Sequence, residues 1–362
     1  MSQFDPSNRT PWVSIVIPVY QGEAHLQIAA ESVLVQSFTD YELILIDDGS
    51  TDGTGAICDA LRTRDARVSV YHLPKNTGLS YARNAGLAHC RGEYVLFLDA
   101  DDRIESELLA NIHSSLKAHP AEWVIWGVTE AHYNRRGALV RRKEITPDFL
   151  YASDQQAVRE AVMPLETLTL FGYAWNKLYK LESIRSRGVQ IEDVELIEDV
   201  LFNIAFARDA MSLLVLPLPA SHYTRRRRDN LTARKLDRYF ELNARRVEEL
   251  YELHIAWKMD TLSIRRQLVP IYVRYFLSVL ERNCRPEREM SHADRAAWTR
   301  AACDTQIFAD LMPCLRARTN LAGIAGRIIR KRITPLCLLM GRALYWSNRY
   351  ARPVYEALLR AR

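Results

Sequence analysis

Asp99 and Asp101 stand two residues apart directly after the apolar run YVLFL (94–98). In extended backbone that spacing turns both side chains to the same side. Two such carboxylates suit one hard divalent cation, Mg²⁺ or Mn²⁺, which takes oxygen ligands and is commonly completed by the phosphates of a diphosphate ligand. The plainer role for Asp99-Ala100-Asp101-Asp102, capping a helix over 105–118, accounts for Asp101 or Asp102 and leaves Asp99 unexplained. A second acidic turn, DDGSTDG (47–53), follows the run ELILI (42–46). With Asp59 it nearly spells a calcium-binding EF-hand loop, but a strand precedes it and its last place is Asp instead of Glu. Asp48 is suited to accept hydrogen bonds, and Arg83 carries a fixed fork of donors for carbonyl or phosphate oxygens.

These residues must be positioned by the elements around them. Apolar runs rich in β-branched residues occur at 13–19, 42–46, 68–72 and 94–98, each followed by a helical pattern, over 23–36, 54–64, 79–89 and 105–118. Continuous apolar runs alternating with helices predict strands covered on both faces, hence a mainly parallel sheet of βαβ units. In such sheets ligands sit outside the carboxyl ends of the strands, where these acids lie. From 121 to about 230 the pattern is mixed: a strand at 123–128, a basic turn from Arg135 to Lys143, and helices near 154–162 and 199–209. Beyond 235 the sequence reads as helical, with turn signals at Pro286, Pro313 and Pro335. The expected domains are 1–232, with halves at about 12–120 and 121–232, and a helical region 233–362.

Taken in order, VSIVIPVYQGE (13–23), ELILIDDGSTDGT (42–54), NTGLSYARNAGL (76–87) and YVLFLDADD (94–102) resemble the family 2 glycosyltransferases of the GT-A fold. WNKLYK (175–180), IEDVLF (197–202) and HYTRRRRDNLT (222–232) look like later elements of that family. The resemblance implies an α/β, Rossmann-like catalytic domain that binds a nucleotide-diphosphate sugar, with a UDP-sugar expected. It places base and ribose near Pro18, Tyr20, Glu23, Asp48 and Arg83, and a metal-bound diphosphate at Asp99, Ala100 and Asp101. Inverting transfer needs a base to take the proton of the acceptor hydroxyl. Asp199 is the expected base, with Glu198 the alternative; capping of the following helix is the structural explanation of the same pair. Trp175, Asn176 and Lys177 are candidates for the acceptor side, although a tryptophan beside apolar neighbours is commonly core. His222, Tyr223 and the run to Arg228 are candidates for a basic loop over the diphosphate, against the commoner reading of four arginines as a solvated surface.

The composition, 48% hydrophobic and 26% charged, is that of a globular chain and excludes disordered and collagenous classes. The overall charge is +5, yet residues 323–362 hold nine basic side chains and one acidic one, so the rest of the chain is slightly acidic. That distribution argues against a general nucleic-acid binder, which wants basic residues spread over its docking face. Six cysteines show neither metal-ligand spacing nor a dense disulfide pattern. No secretory signal or spanning segment is read, so the expected location is cytoplasmic. The tail from 322 alternates Arg clusters with Ile, Leu, Trp and Tyr. Either it lies peripherally on an anionic membrane at the cytoplasmic face, where a lipid-linked saccharide acceptor would be found, or it packs as a helical subdomain. The rival readings are a non-catalytic nucleotide-sugar-binding scaffold and a nucleotidyltransferase, for which PVYQGEAH (18–25) lacks the basic glycine-rich phosphate loop.

Overall fold

The computed structural model describes residues 10–133, 139–225, 238–316, 321–351 and 355. The chain divides into two compact units, residues 1–234 and 235–362. The boundary expected near 232 lies outside the described residues.

The first unit opens with β1 (Val13–Val19), α1 (Leu26–Leu34), β2 (Tyr41–Asp47), α2 (Thr54–Arg64), β3 (Val68–His72), α3 (Leu79–His89) and β4 (Tyr94–Phe97). These strands pair in parallel in the order β3-β2-β1-β4. Ile15, Val16 and Ile17 are all fully buried, which is why β1 reads as an unbroken apolar run instead of an alternating one. After β5 (Arg103–Ile104) and α4 (Leu108–Ala118) the sheet continues through β6 (Trp123–Tyr133), β7 (Leu139–Ile145), β8 (Leu150–Ala152), α5 (Gln155–Thr167), β9 (Lys177–Lys180), α6 (Leu181–Ser186), α7 (Glu198–Ala207) and β10 (Leu213–Arg225). The full path is β3-β2-β1-β4-β9-β6-β10-β5, with β7 on β6 and β8 on β10.

The α/β architecture with flanking helices is therefore as expected, but the sheet is mixed. Strand β9 runs antiparallel between β4 and β6, and β6 and β10 pair in parallel. Two local expectations are corrected, the basic turn and the loop at His222 and Tyr223. The basic turn to Lys143 is, from Leu139 on, the strand β7, whose charged side chains face solvent beside β6. WNKLYK enters a strand at Lys177, and His222 and Tyr223 belong to β10 instead of a loop.

The second unit is helical: α8 (Tyr239–Ala256), α9 (Leu262–Arg282), α10 (His292–Cys303), α11 (Gln306–Leu311), α12 (Leu321–Arg330) and α13 (Thr334–Tyr350). Its turns follow the predicted punctuation. Short 3₁₀ turns occupy Pro286–Arg288 and Met312–Cys314, and Pro335 sits in the first turn of α13, where its missing N–H costs nothing. Ser291 and Asp294 form a reciprocal cap at the start of α10. No described helix is long and apolar enough to cross a membrane. All six cysteines are free.

Candidate functional site

The carboxyl ends of β1 and β2 meet in a network of short ties. Gln21, held at φ 52°, accepts from the amides of Thr51 and Asp52 and donates to the Thr51 hydroxyl. Glu23 accepts from the Gly53 amide at 3.1 Å, at the start of α2. Asp48 is buried and accepts from the Thr77 amide at 2.8 Å, the Thr77 hydroxyl at 2.7 Å and the Gly78 amide at 2.9 Å. It thus holds the loop after β3 against the loop after β2. Gly49 permits this approach: its φ is +70°, and a Cβ there would lie 2.4 Å from the Lys75 carbonyl carbon. Pro18 is buried in β1, and Tyr20 stands half exposed at the strand's end. Of this network, Gln21 gave no sequence signal beyond following a strand.

Arg83 does not join that group. Only 1% exposed on α3, its guanidinium donates to Asp99 at 2.6 Å and to Asp199, with Glu198 at 3.9 Å. One buried cation therefore joins the acids after β4 to the acidic pair that starts α7, which are distant in sequence. Burial works against the arginine's charge, but Asp199, Asp99 and Glu198 together raise its pKa above the ordinary value. Burial pushes the Asp99 carboxyl up to about 6, Arg83 opposing and Asp199 and Asp101 adding to it. Burial and Asp199 push Glu198 to about 7. Asp199 accepts on its other oxygen from the Ala174 amide at 2.9 Å. Glu198 Oε2 is buried and meets no hydrogen-bond donor.

The turn Asp99 to Asp102 also differs from the extended geometry expected of it. Strand β4 ends at Phe97, and the Asp102 amide donates back to the Asp99 carbonyl at 3.0 Å. Asp99 faces Arg83, Ala100 is partly buried, and Asp101 is exposed. None of these acids caps a helix, because α4 begins after Glu107. Asp102, expected at most to cap that helix, is 2% exposed. One of its oxygens accepts from the Thr224 amide of β10 at 3.1 Å and the other has no partner. Burial, with Asp99 and Asp101 nearby, raises its pKa well above the carboxylate range. Among the described residues no three His, Cys, Asp or Glu side chains converge as a protein-only metal site.

On the opposite side of Asp199 lies the loop 170–176. Lys177, fully buried, donates its ammonium to the carbonyls of Leu170 and Tyr173 and to Asn176 Oδ1. Asn176, also fully buried, donates to the Trp126 carbonyl at 2.9 Å, and Asn203 of α7 donates to the carbonyls of Phe171 and Tyr173. Asn176 and Lys177, expected at the acceptor, are thus ties that set the loop's shape, satisfied internally as buried polar groups must be. Trp175 is buried too. Its ring stacks against Tyr173 at 4.9 Å and Tyr223 at 5.5 Å, which lie 6.2 Å from each other and are the partly exposed members of the cluster. His222 points to Glu105, its pKa lowered by burial although that carboxylate opposes the shift. Arg228 lies outside the described residues.

A closed circuit results, running Asp99, Arg83, Asp199, the Ala174 amide, the ring stack to Tyr223, the Thr224 amide and Asp102. Residues 14–180 match the sequence profile of Glycosyl transferase family 2. This stretch is a family 2 glycosyltransferase domain. Curated relatives of the glycosyltransferase domain include the uncharacterized glycosyltransferase EpsJ of Bacillus subtilis (strain 168). It is 30% identical over 207 residues, which make up 57% of this chain and 59% of the relative. The teichuronic acid biosynthesis glycosyltransferase TuaG of the same organism, itself named as putative, is 39% identical over 28% of this chain and 41% of its own. The chain spans at most about three fifths of the length of such relatives. Among solved structures, residues 1–349 of S. aureus TarS in complex with UDP-GlcNAc share the fold. That likeness has a TM-score of 0.61 at 18% identity, over 93% of this chain and 91% of the other. The match covers the alternating first half and reaches β9; the circuit draws Arg83, Asp99, Asp102 and Ala174 from within it and Asp199, Tyr223 and Thr224 from the residues that follow.

Proposed function

We propose that this chain is an inverting glycosyltransferase that moves one sugar from a UDP-sugar to a saccharide or lipid-linked saccharide in surface polysaccharide assembly. The observation that carries the reading is Arg83, which gathers Asp99 and the Glu198-Asp199 pair into one buried cluster. A sugar transferase needs a place for the leaving diphosphate and, on the other face of the sugar, a carboxylate to take the acceptor proton. TuaG's naming for teichuronic acid biosynthesis and TarS's capture of UDP-GlcNAc support polysaccharide assembly and a uridine donor respectively.

On this reading Tyr20 offers a ring to the base. Asp48, through Oδ2, and Glu23, through both carboxylate oxygens, keep lone pairs beyond the hydrogen bonds they accept and receive the ribose or base donors. The acidic turn fits a divalent cation: Asp99 and Asp102 resist ionisation where they stand, and Asp102 keeps an oxygen without a partner. Asp99 and Asp101 would hold Mg²⁺ or Mn²⁺ together with phosphate oxygens. When bound, such a cation offsets the charge that builds on the leaving diphosphate.

Asp199 acts as base. The Arg83 guanidinium and the Ala174 amide fix both of its oxygens in place, and each oxygen retains a lone pair for the acceptor hydroxyl. A specific observation also favours Glu198 for the role, since its Oε2 is free of donors and its pKa near 7 suits a base at neutral pH. Tyr173 and Tyr223, backed by Trp175, present aromatic surface against which an acceptor sugar ring packs. Peripheral contact with the cytoplasmic face of an anionic membrane would bring a lipid-linked acceptor to this site.

The test is the melting temperature of the full chain against nucleoside diphosphates and their sugars, with and without Mn²⁺, repeated on Asp101→Ala. Ligand binding to the native state raises the midpoint by mass action. A metal-dependent rise with the uridine series, lost in Asp101→Ala, is expected. A stable protein that shifts with none of them refutes the reading.

A further inference from the structure

Helix α13 carries two faces of different character. Cys337, Leu338, Gly341 and Leu344 are buried, and Gly341 lies so close to α9 that a Cβ there would stand 2.7 Å from the Leu280 carbonyl oxygen. The core-facing side of the helix is thereby settled. On the other side Leu336, Leu339, Ala343, Trp346 and Tyr350 recur at intervals of three and four residues, which places them in one stripe along the helix. The four large ones are exposed: Leu336 by 41%, Leu339 by 63%, Trp346 by 59% and Tyr350 by 66%. The rings of Trp346 and Tyr350 stack 5.1 Å apart.

Residues 321–351 carry charge of one sign, although Arg332 is paired with Asp304 at 2.7 Å. Arg342 and Arg349, each three residues beyond a member of the stripe, are exposed along its border. Arg327, Arg330, Lys331 and Arg332 are exposed on α12 and the turn that leads into α13, and residues 321–351 contain no Asp or Glu. An isolated exposed Leu needs no explanation, but a continuous apolar stripe rimmed by charge marks a docking surface. A second copy of this chain would set like charges against each other across the same stripe, which disfavours self-pairing. Nucleic acid would satisfy the arginines and leave four large apolar side chains unused.

We propose that this face of α13 docks on an anionic phospholipid bilayer. The leucines and Trp346 enter the boundary between headgroups and acyl chains, Tyr350 stays at headgroup level, and the arginines meet lipid phosphates. With 17 residues the helix lies in the interface instead of crossing it. The inference stands on the second unit alone and holds or fails apart from the reaction proposed above.

The experiment is co-sedimentation of the full chain with vesicles of phosphatidylcholine, or of phosphatidylcholine with about a quarter phosphatidylglycerol, at physiological and at about 0.5 M salt. Wild type is expected to pellet with the anionic vesicles, weakly with the neutral ones, and less at high salt. Leu339→Asp combined with Trp346→Asp should bind at least roughly tenfold more weakly, and so should Arg342→Glu combined with Arg349→Glu. All four side chains are exposed, so both variants should melt with wild type. Lipids brominated along their acyl chains should quench fluorescence in wild type more than in Trp346→Phe. A wild-type protein that stays in the supernatant with anionic vesicles overturns the proposal. So does a folded Leu339→Asp, Trp346→Asp variant that pellets as fully as wild type.

Discussion

Replacing Arg83 with methionine removes the cation that the structure places among Asp99, Glu198 and Asp199 while keeping most of the side chain's apolar stem. Breaking a buried ion pair by deleting one partner costs about 3–5 kcal/mol, because the partner left behind is a buried, uncompensated charge. The cost should depend on pH, and its sign follows from the raised carboxyl pKa values. Asp99 titrates near 6 and Glu198 near 7 in the folded protein, both above the usual carboxylate range. A raised folded pKa means that the native state holds its proton more tightly than the unfolded chain does. The associated stability is therefore present at low pH and is lost as pH rises through those values. At pH 5 both groups are largely protonated, so loss of Arg83 leaves less charge unpaired and costs roughly 1–2 kcal/mol. At pH 8 all the acids compete for charge, and the full 3–5 kcal/mol is expected. Urea denaturation of wild type and Arg83→Met at the two pH values reads the difference directly. An equal loss at both, or a loss below about 1 kcal/mol at pH 8, would refute the idea that Arg83 neutralises this cluster.

Lys177→Met removes the ammonium donor shared by two carbonyls and Asn176 Oδ1, leaving the Tyr173 carbonyl with Asn203 and the Leu170 carbonyl with a long contact to Asn176. It should cost about 2–4 kcal/mol in chemical denaturation, and transfer should slow more than donor affinity falls, because the loop that holds Asp199 is loosened. Gly49→Ala forces a side chain into a left-handed backbone against Lys75. A lower melting temperature, by about 1–3 kcal/mol of stability, should accompany weaker nucleotide binding in titration calorimetry, as the Asp48 tie to Thr77 and Gly78 is displaced. If Glu198 takes the acceptor proton, the acidic limb of the pH profile of kcat/KM should fall near 7 and vanish in Glu198→Gln. A limb that persists unchanged assigns it to another group.

The first half of the fold was legible because its strands are buried on both faces, so each reads as an apolar run whose end points to a ligand position. The later strands gave weaker signals for physical reasons. Strand β7 is charged and solvent-facing, which keeps an outer strand soluble and makes it look like a turn. Strand β9 begins with a fully buried lysine, a residue type that composition assigns to the surface, and internal acceptors on Leu170, Tyr173 and Asn176 make its burial tolerable. Within the site, residue types were legible and their partners were not. Two aspartates two apart share a side only in extended backbone, and a turn at 99–102 separated them into one facing Arg83 and one exposed. Asp102 looked like a cap because sequence carries no sign that Thr224 would come beside it. Arg83 matched a recurring motif, but that its partners are the acids at 99 and 199 is a fact of tertiary packing.

The central claim, that the acids joined by Arg83 form one centre for sugar transfer, is tested most directly by release of UDP from a UDP-sugar in the presence of Mn²⁺. Wild type is compared with Asp199→Asn, Glu198→Gln and the double variant, and donor binding is followed in parallel by thermal shift. The account predicts that wild type releases UDP, by transfer or by slow transfer to water. The double variant should bind donor but lose release by about a hundredfold or more, as removal of a general base does. A double variant that releases UDP at the wild-type rate while still binding donor would contradict it.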